Sequence, residues 1–127
     1  MNQKEFEGLI ARDSALATPV FKAAKSITPR TRGTFGAAEL AGIALLFPVV
    51  KYIIKNFGLP WLHEAKRYSE LWRQKFHNWV NEQYSKHGMD PDEIEAAGET
   101  LVKELEATTD SNAQKSWERL AGLLEKE

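Results

Sequence analysis

The chain contains no cysteine. Disulfides, thiolate chemistry and cysteine-based zinc sites are therefore excluded, and a small secreted scaffold without such staples would be unusual. There is also no long uncharged apolar run. The longest, Leu40 to Val50, lies between Glu39 and Lys51 and is about half the roughly 20 residues a membrane span needs. The opening MNQKEFEGLIARD is amphipathic and lacks an apolar h-region, so it does not read as a secretory signal peptide. No Asn-x-Ser/Thr acceptor, internal repeat, low-complexity tract or period-two strand pattern occurs.

Catalytic frames are missing too. There is no Gly-x-Ser-x-Gly and no thiol nucleophile. Gly33-Thr34-Phe35-Gly36 is too sparse for a phosphate-binding loop and follows no strand. His63, Glu70 and His77 recur along one helical face. Seven residues of helix rise roughly 10 Å, too far for these side chains to share one ion at about 2 Å. The expectation is a non-enzymatic protein with no cofactor and no metal.

What the 127 residues do contain is 43% hydrophobic and 28% charged residues with a net charge of −1. That is enough for one modest core in a single domain, residues 1–127. The charge is split along the chain. Met1–Gly88 holds 13 Lys and Arg against 7 Asp and Glu, and Met89–Glu127 holds 4 against 11. Such asymmetry fits an acidic tail docked on a basic body, a basic body facing something acidic, or simply two solvated faces.

The periodicity predicts an all-α fold, a small bundle of four to six helices. Residues 1–33 hold short helices and a basic loop. Residues 3–12 place Phe6, Leu9 and Ile10 on one side, and Asp13-Ser14 breaks that helix. Thr18-Pro19 reads as a capped start for a second helix, turning Val20, Phe21, Ala24 and Ile27 inward. In the loop Ile27–Gly33, Arg30 and Arg32 beside hydroxyls are candidates for phosphate contact.

Residues 34–57 form the strongly apolar central helix, with an average hydropathy about at the level used to flag a membrane span. Ile43, Leu46, Val50, Ile53 and Phe57 mark its bulky stripe, while Ala37, Ala41, Ala44 and Pro48 share a small-residue stripe. Pro48 should kink this helix. Gly58-Leu59-Pro60 then ends it, with a turn short enough to force the next helix back onto it.

A long helix over residues 60–87 interleaves Trp61, Trp72 and Trp79 with Lys66, Arg67, Arg73 and Lys75. Such a pattern serves a membrane interface, stacked single-stranded nucleic acid, or a domain core. Residues 90–126 read as an acidic helical hairpin. Asp90-Pro91-Asp92-Glu93 starts its first helix and Ser111-x-x-Gln114 its second. Ile94, Ala97, Leu101 and Leu105, then Trp117, Leu120, Leu123 and Leu124, should face inward.

Taken together, these features predict a small membrane-associated protein. Ile43, Leu46, Phe47, Val50, Ile53 and Ile54 would meet membrane lipid or a partner. The tryptophans and basic residues of 60–87 would lie along the interface, and the acidic hairpin would recruit a partner. The alternative is a soluble helical-bundle module for interaction or homo-oligomerisation, whose own helices cover the apolar rod. Nucleic-acid binding through Arg30, Arg32 and the basic aromatic helix is the third reading. The location that follows is membrane-associated or cytoplasmic.

Overall fold

The computed structural model describes residues 1–27, 35–62, 70–85 and 90–126, with the backbone alone for 35–42. Six helices account for most of these residues, and none of the described residues is in a strand. The all-helical reading is therefore correct.

The first two helices meet at a shared residue. In α1, Gln3–Arg12, Asn2 caps the start by accepting from the Glu5 N–H at 2.9 Å. Phe6 and Ile10 face the core. Asp13 ends α1 by donating its N–H to the Leu9 carbonyl, and its carboxylate accepts from the Ala15 N–H at 3.0 Å. Asp13 thus caps α2, Ser14–Ala24. The predicted start at Thr18 is overturned: a carboxylate at 13 supplies the cap five residues earlier, and Pro19 lies inside the helix. Phe21, predicted to point inward, is exposed.

A proline inside a helix leaves the carbonyl four residues earlier without its donor. For Pro19 that carbonyl is Ala15, and the indole N–H of the fully buried Trp117 donates to it at 3.1 Å.

The apolar helix α3 spans Phe35–Asn56 and contains Pro48. Gly58 follows with φ 76° and closes the helix by donating to the Ile53 and Ile54 carbonyls. The left-handed backbone there suits glycine, which carries no Cβ. Leu59 is buried, and Leu62 donates its N–H to the Leu59 carbonyl in a turn. Residues 60–62 are turn and bend rather than the first turn of the long helix predicted from Pro60. The helix observed, α4, covers Glu70–Tyr84.

In α5, Pro91–Glu106, Asp90 caps as predicted, accepting from the Asp92 N–H at 2.9 Å with Pro91 in the first turn. The cap of α6, Ser111–Glu125, is Asp110 rather than the predicted Ser111. Its carboxylate takes the Ala113 N–H at 3.0 Å, while Gln114 reaches back to the Thr108 carbonyl at 3.1 Å. Trp117, Leu120 and Leu124 are buried, but Leu123 is exposed.

Among the described residues α2 is the most extensively packed helix. It touches α1, α3, α5 and α6, most extensively α5. Ala17 and Ala23 on α2 and Ala97 on α5 are small and buried, which suits close helix packing. α3 packs on α1, α2, α5 and α6. Although α5 and α6 follow each other, both lay their apolar stripes mainly on α2 and α3 rather than on each other. Among the described residues, no helix is long and apolar enough to cross a membrane.

Candidate interaction surface

Helix α4 sits at the edge of this bundle. Its backbone approaches only α5 extensively, and it reaches α3 through a layer of rings. Trp79 stacks on Tyr52 with centroids 4.4 Å apart, and Trp72 meets the edge of Phe57 at 4.7 Å. Phe76 fills the space between them, 5.8 Å from Tyr52 and 6.0 Å from Trp79. Two rings between helices hold their axes apart, which is why α3 and α4 contact through side chains rather than backbone. Pairs of this kind contribute about 0.5–1.5 kcal/mol beyond the area they bury.

The same interface carries a buried hydrogen bond. The Tyr84 hydroxyl donates to the Leu45 carbonyl at 2.6 Å. Leu45 precedes Pro48 by three positions and borders the ladder rung, Ala44 to Pro48, that proline cannot complete. Burial pushes the Tyr84 phenol far above its ordinary value.

The predicted contact residues fall into three groups. Ile43, Leu46, Val50, Ile53 and Ile54 are buried among the protein's own helices, and Phe47 is partly buried with its ring stacked on Phe6 at 5.0 Å. All but Phe47 are covered by the protein's own helices in the folded chain. Fully burying each such residue is worth about 1.5–3 kcal/mol, which is why the apolar rod goes inside.

Trp61, Trp72 and Trp79 are partly buried against the same core. The buried indole N–H of Trp61 has no acceptor among the described residues. Arg73 pairs with Glu99 at 3.2 Å, and the Lys75 ammonium lies 4.7 Å over the Trp72 ring. Arg30, Arg32, Lys66 and Arg67 lie outside the described residues.

Part of the charge split seen in the sequence meets across helices. The cross-helix pairs Lys22–Glu104, Arg73–Glu99 and His77–Glu95 each join a basic group of α2 or α4 to an acid of α5. Which base would find which acid had no local signature in the sequence.

His77 is the residue the sequence reading missed. Its Nδ1 lies 2.7 Å from Glu95 Oε2, and its Nε2 lies 3.1 Å from Asn81 Nδ2. Asn81 Nδ2 also donates to the His77 carbonyl at 2.8 Å, which orients the amide. The hydrogen bond to Glu95, then its charge, raises the His77 pKa, with a smaller push from Asp92; desolvation acts weakly the other way. The pair borders an open groove of about 450 Å³ lined by Glu70, Arg73, Gln74, His77, Asn78 and Glu95.

A histidine held by a carboxylate at Nδ1 is oriented as a general base would be. Here, however, Nε2 meets an amide rather than a hydroxyl nucleophile. Among the described residues, no group of three or more metal-ligating side chains could hold an ion.

On the outer side of α4, Glu70, Leu71, Gln74, Asn78 and Glu82 are exposed, Leu71 by 60%. Comparison with protein-family models, curated proteins and solved structures finds no match to this chain.

Proposed function

We propose that the chain is a non-enzymatic helical-bundle interaction module that meets a partner protein along the outer face of α4. The observation that carries this reading is a contrast between two helices. α3, the most apolar, has its bulky stripe consumed by the protein's own core. α4 is held at the rim by α5 and a ring layer, and leaves an exposed leucine amid polar residues beside an open groove.

The contrast favours this reading over the lipid one, since lipid contact through Ile43, Leu46 or Ile53 would require α3 to be uncovered first. In this reading the acidic helix α5 serves chiefly to dock the chain's own basic groups, and the central apolar helix is the wall against which that docking occurs.

Site-specific photo-crosslinking in the cells the protein comes from tests this. A crosslinking amino acid at Leu71 should give a discrete protein adduct, and one at the exposed Glu118 of α6 should not. An adduct of twice the chain's mass would identify a second copy as the partner. No adduct at Leu71, or flotation of the purified chain with liposomes, would end the reading.

A further inference from the structure

The seam between α4 and α5 is held at three points. Arg73 meets Glu99, His77 meets Glu95, and the ring of Phe76 lies against the bare backbone of Gly98 between them. The two polar contacts are four residues apart on each helix and run in opposite directions, so the helices are antiparallel and one face of each is engaged. Of these contacts, only the histidine changes charge near neutral pH.

We propose that His77 and Glu95 form an acid-strengthened clasp, holding α4 against α5 tightly when the imidazole is charged and less tightly when it is neutral. The inference rests on the seam alone and does not depend on the partner reading above.

The surroundings favour the cation. From α5, Asp92, Glu95 and Glu99 face this strip. From α4 itself, Glu70 and Arg73 do, and Arg73 is committed to Glu99. From α3 and the residue after it, the groups that meet α4 are the uncharged rings of Tyr52 and Phe57 and the Leu45 carbonyl. Glu95 is the more enclosed partner, its side chain 17% exposed against 49% for His77.

Asn81 works the other way. In the neutral ring Nδ1–H points at Glu95 and Nε2 accepts from the Asn81 amide. Once Nε2 carries a proton, two donors face each other and Asn81 must turn aside. Asn81 therefore holds the ring in one tautomer and restrains the rise in its pKa.

The direction of the pH effect follows from linkage. A histidine whose folded pKa is raised adds hold that is fully present below its unfolded value of about 6.5 and is lost as pH rises through the higher folded value. Loosening the seam frees α4, whose Phe76 and Trp79 rings lie against Tyr52 of α3.

Two measurements test the clasp. The His77 ring resonance, assigned by its loss in His77→Gln, should titrate above the ordinary histidine value. Its midpoint should fall in Glu95→Gln and rise in Asn81→Ala. Amide hydrogen exchange, corrected for the intrinsic rate, should show protection at Phe76 and Val80 falling between about pH 5.5 and pH 8. That fall should vanish in Glu95→Gln, while protection at Leu120 in α6 stays level.

Three results would overturn the clasp: a His77 midpoint at or below the ordinary value, the same pH dependence at Phe76 in Glu95→Gln as in the unaltered chain, or a parallel fall at Leu120.

Discussion

The indole N–H of Trp117 donates to the carbonyl of Ala15, the oxygen that Pro19 leaves without a helical partner, from 102 positions away in the chain. The bond explains how a proline sits inside the central α2 at a tolerable cost. An unsatisfied buried carbonyl costs about 1–3 kcal/mol, and here a side chain from α6 supplies the donor that the backbone cannot. Tyr84 reaches α3 near Pro48, but at the Leu45 carbonyl rather than at Ala44, the one that proline leaves without a donor.

Trp117→Phe should lower stability in urea unfolding by about 1–3 kcal/mol, through the lost donor and the smaller ring. In a Pro19→Ala background the Ala15 carbonyl regains a helical donor, so the same change should cost about 1 kcal/mol less. Equal costs in the two backgrounds would show that the bond and the proline are not coupled.

Tyr84→Phe removes the hydroxyl that reaches Leu45 and should cost about 1–2 kcal/mol. The pH dependence has a definite sign. Burial raises the folded pKa of Tyr84 above the unfolded value of about 10, so its contribution is present below pH of about 10 and is lost as pH rises beyond it. Alkaline unfolding, followed by circular dichroism, should begin at higher pH in Tyr84→Phe once its lower starting stability is allowed for. Burial raises Tyr52 as well, and that share of the alkaline fall should persist.

Gly98→Ala tests the close approach of α4 to α5. Alanine favours a helix by about 1 kcal/mol over glycine, so a freely exposed position would gain stability. Here the new methyl would overlap the ring of Phe76. That ring is itself fully buried between Tyr52 and Trp79, so it has little room to withdraw. A net loss of about 1–3 kcal/mol in thermal unfolding is expected, with partial recovery when Phe76→Leu is added. A rise in melting temperature for Gly98→Ala alone would contradict this packing.

Leu46 and Leu71 separate the covered helix from the rim. Leu46 is 0% exposed, and Leu46→Ala should cost about 2–5 kcal/mol. Leu71→Ser, on the outer face of α4, should stay within about 0.5 kcal/mol. Denaturant midpoints measured without detergent or lipid decide this, and a small loss for Leu46→Ala would mean that α3 is not in the core.

Several elements were legible because their signals are local. The Asp90-Pro91 start of α5, the Gly58 end of α3 and the inward stripe Ile94, Ala97, Leu101 and Leu105 all follow from neighbours within a turn or two. The errors were local as well. Thr18-Pro19 resembles a helix start, yet Asp13 is an equally good cap placed earlier, and the helix takes the longer course. Ser111 and Asp110 compete for one cap, and the carboxylate takes it. Pro60 opens a turn rather than a helix, with Leu59 anchored in the core before it.

The charge split fitted an acidic tail docked on a basic body, a basic body facing something acidic, or two solvated faces, and carried no sign of the three cross-helix pairs. His77 stood in the sequence only as part of an unconvincing metal set. Its partner, Glu95, lies 18 positions on and in another helix, so no spacing rule connects them.

Composition and periodicity alone determined that this chain is helical, where most helices end, that Pro48 would cost α3 a ladder hydrogen bond, and that its apolar rod had to be covered. Caps, turns and amphipathic stripes involve residues a few positions apart, so the chain carries them wherever it folds. Only the tertiary structure decided that the protein's own helices cover the rod, that α2 packs most extensively, and that Trp117 meets the Ala15 carbonyl and Glu95 meets His77 from far away in sequence. Those outcomes depend on which surfaces approach closely enough to exclude water.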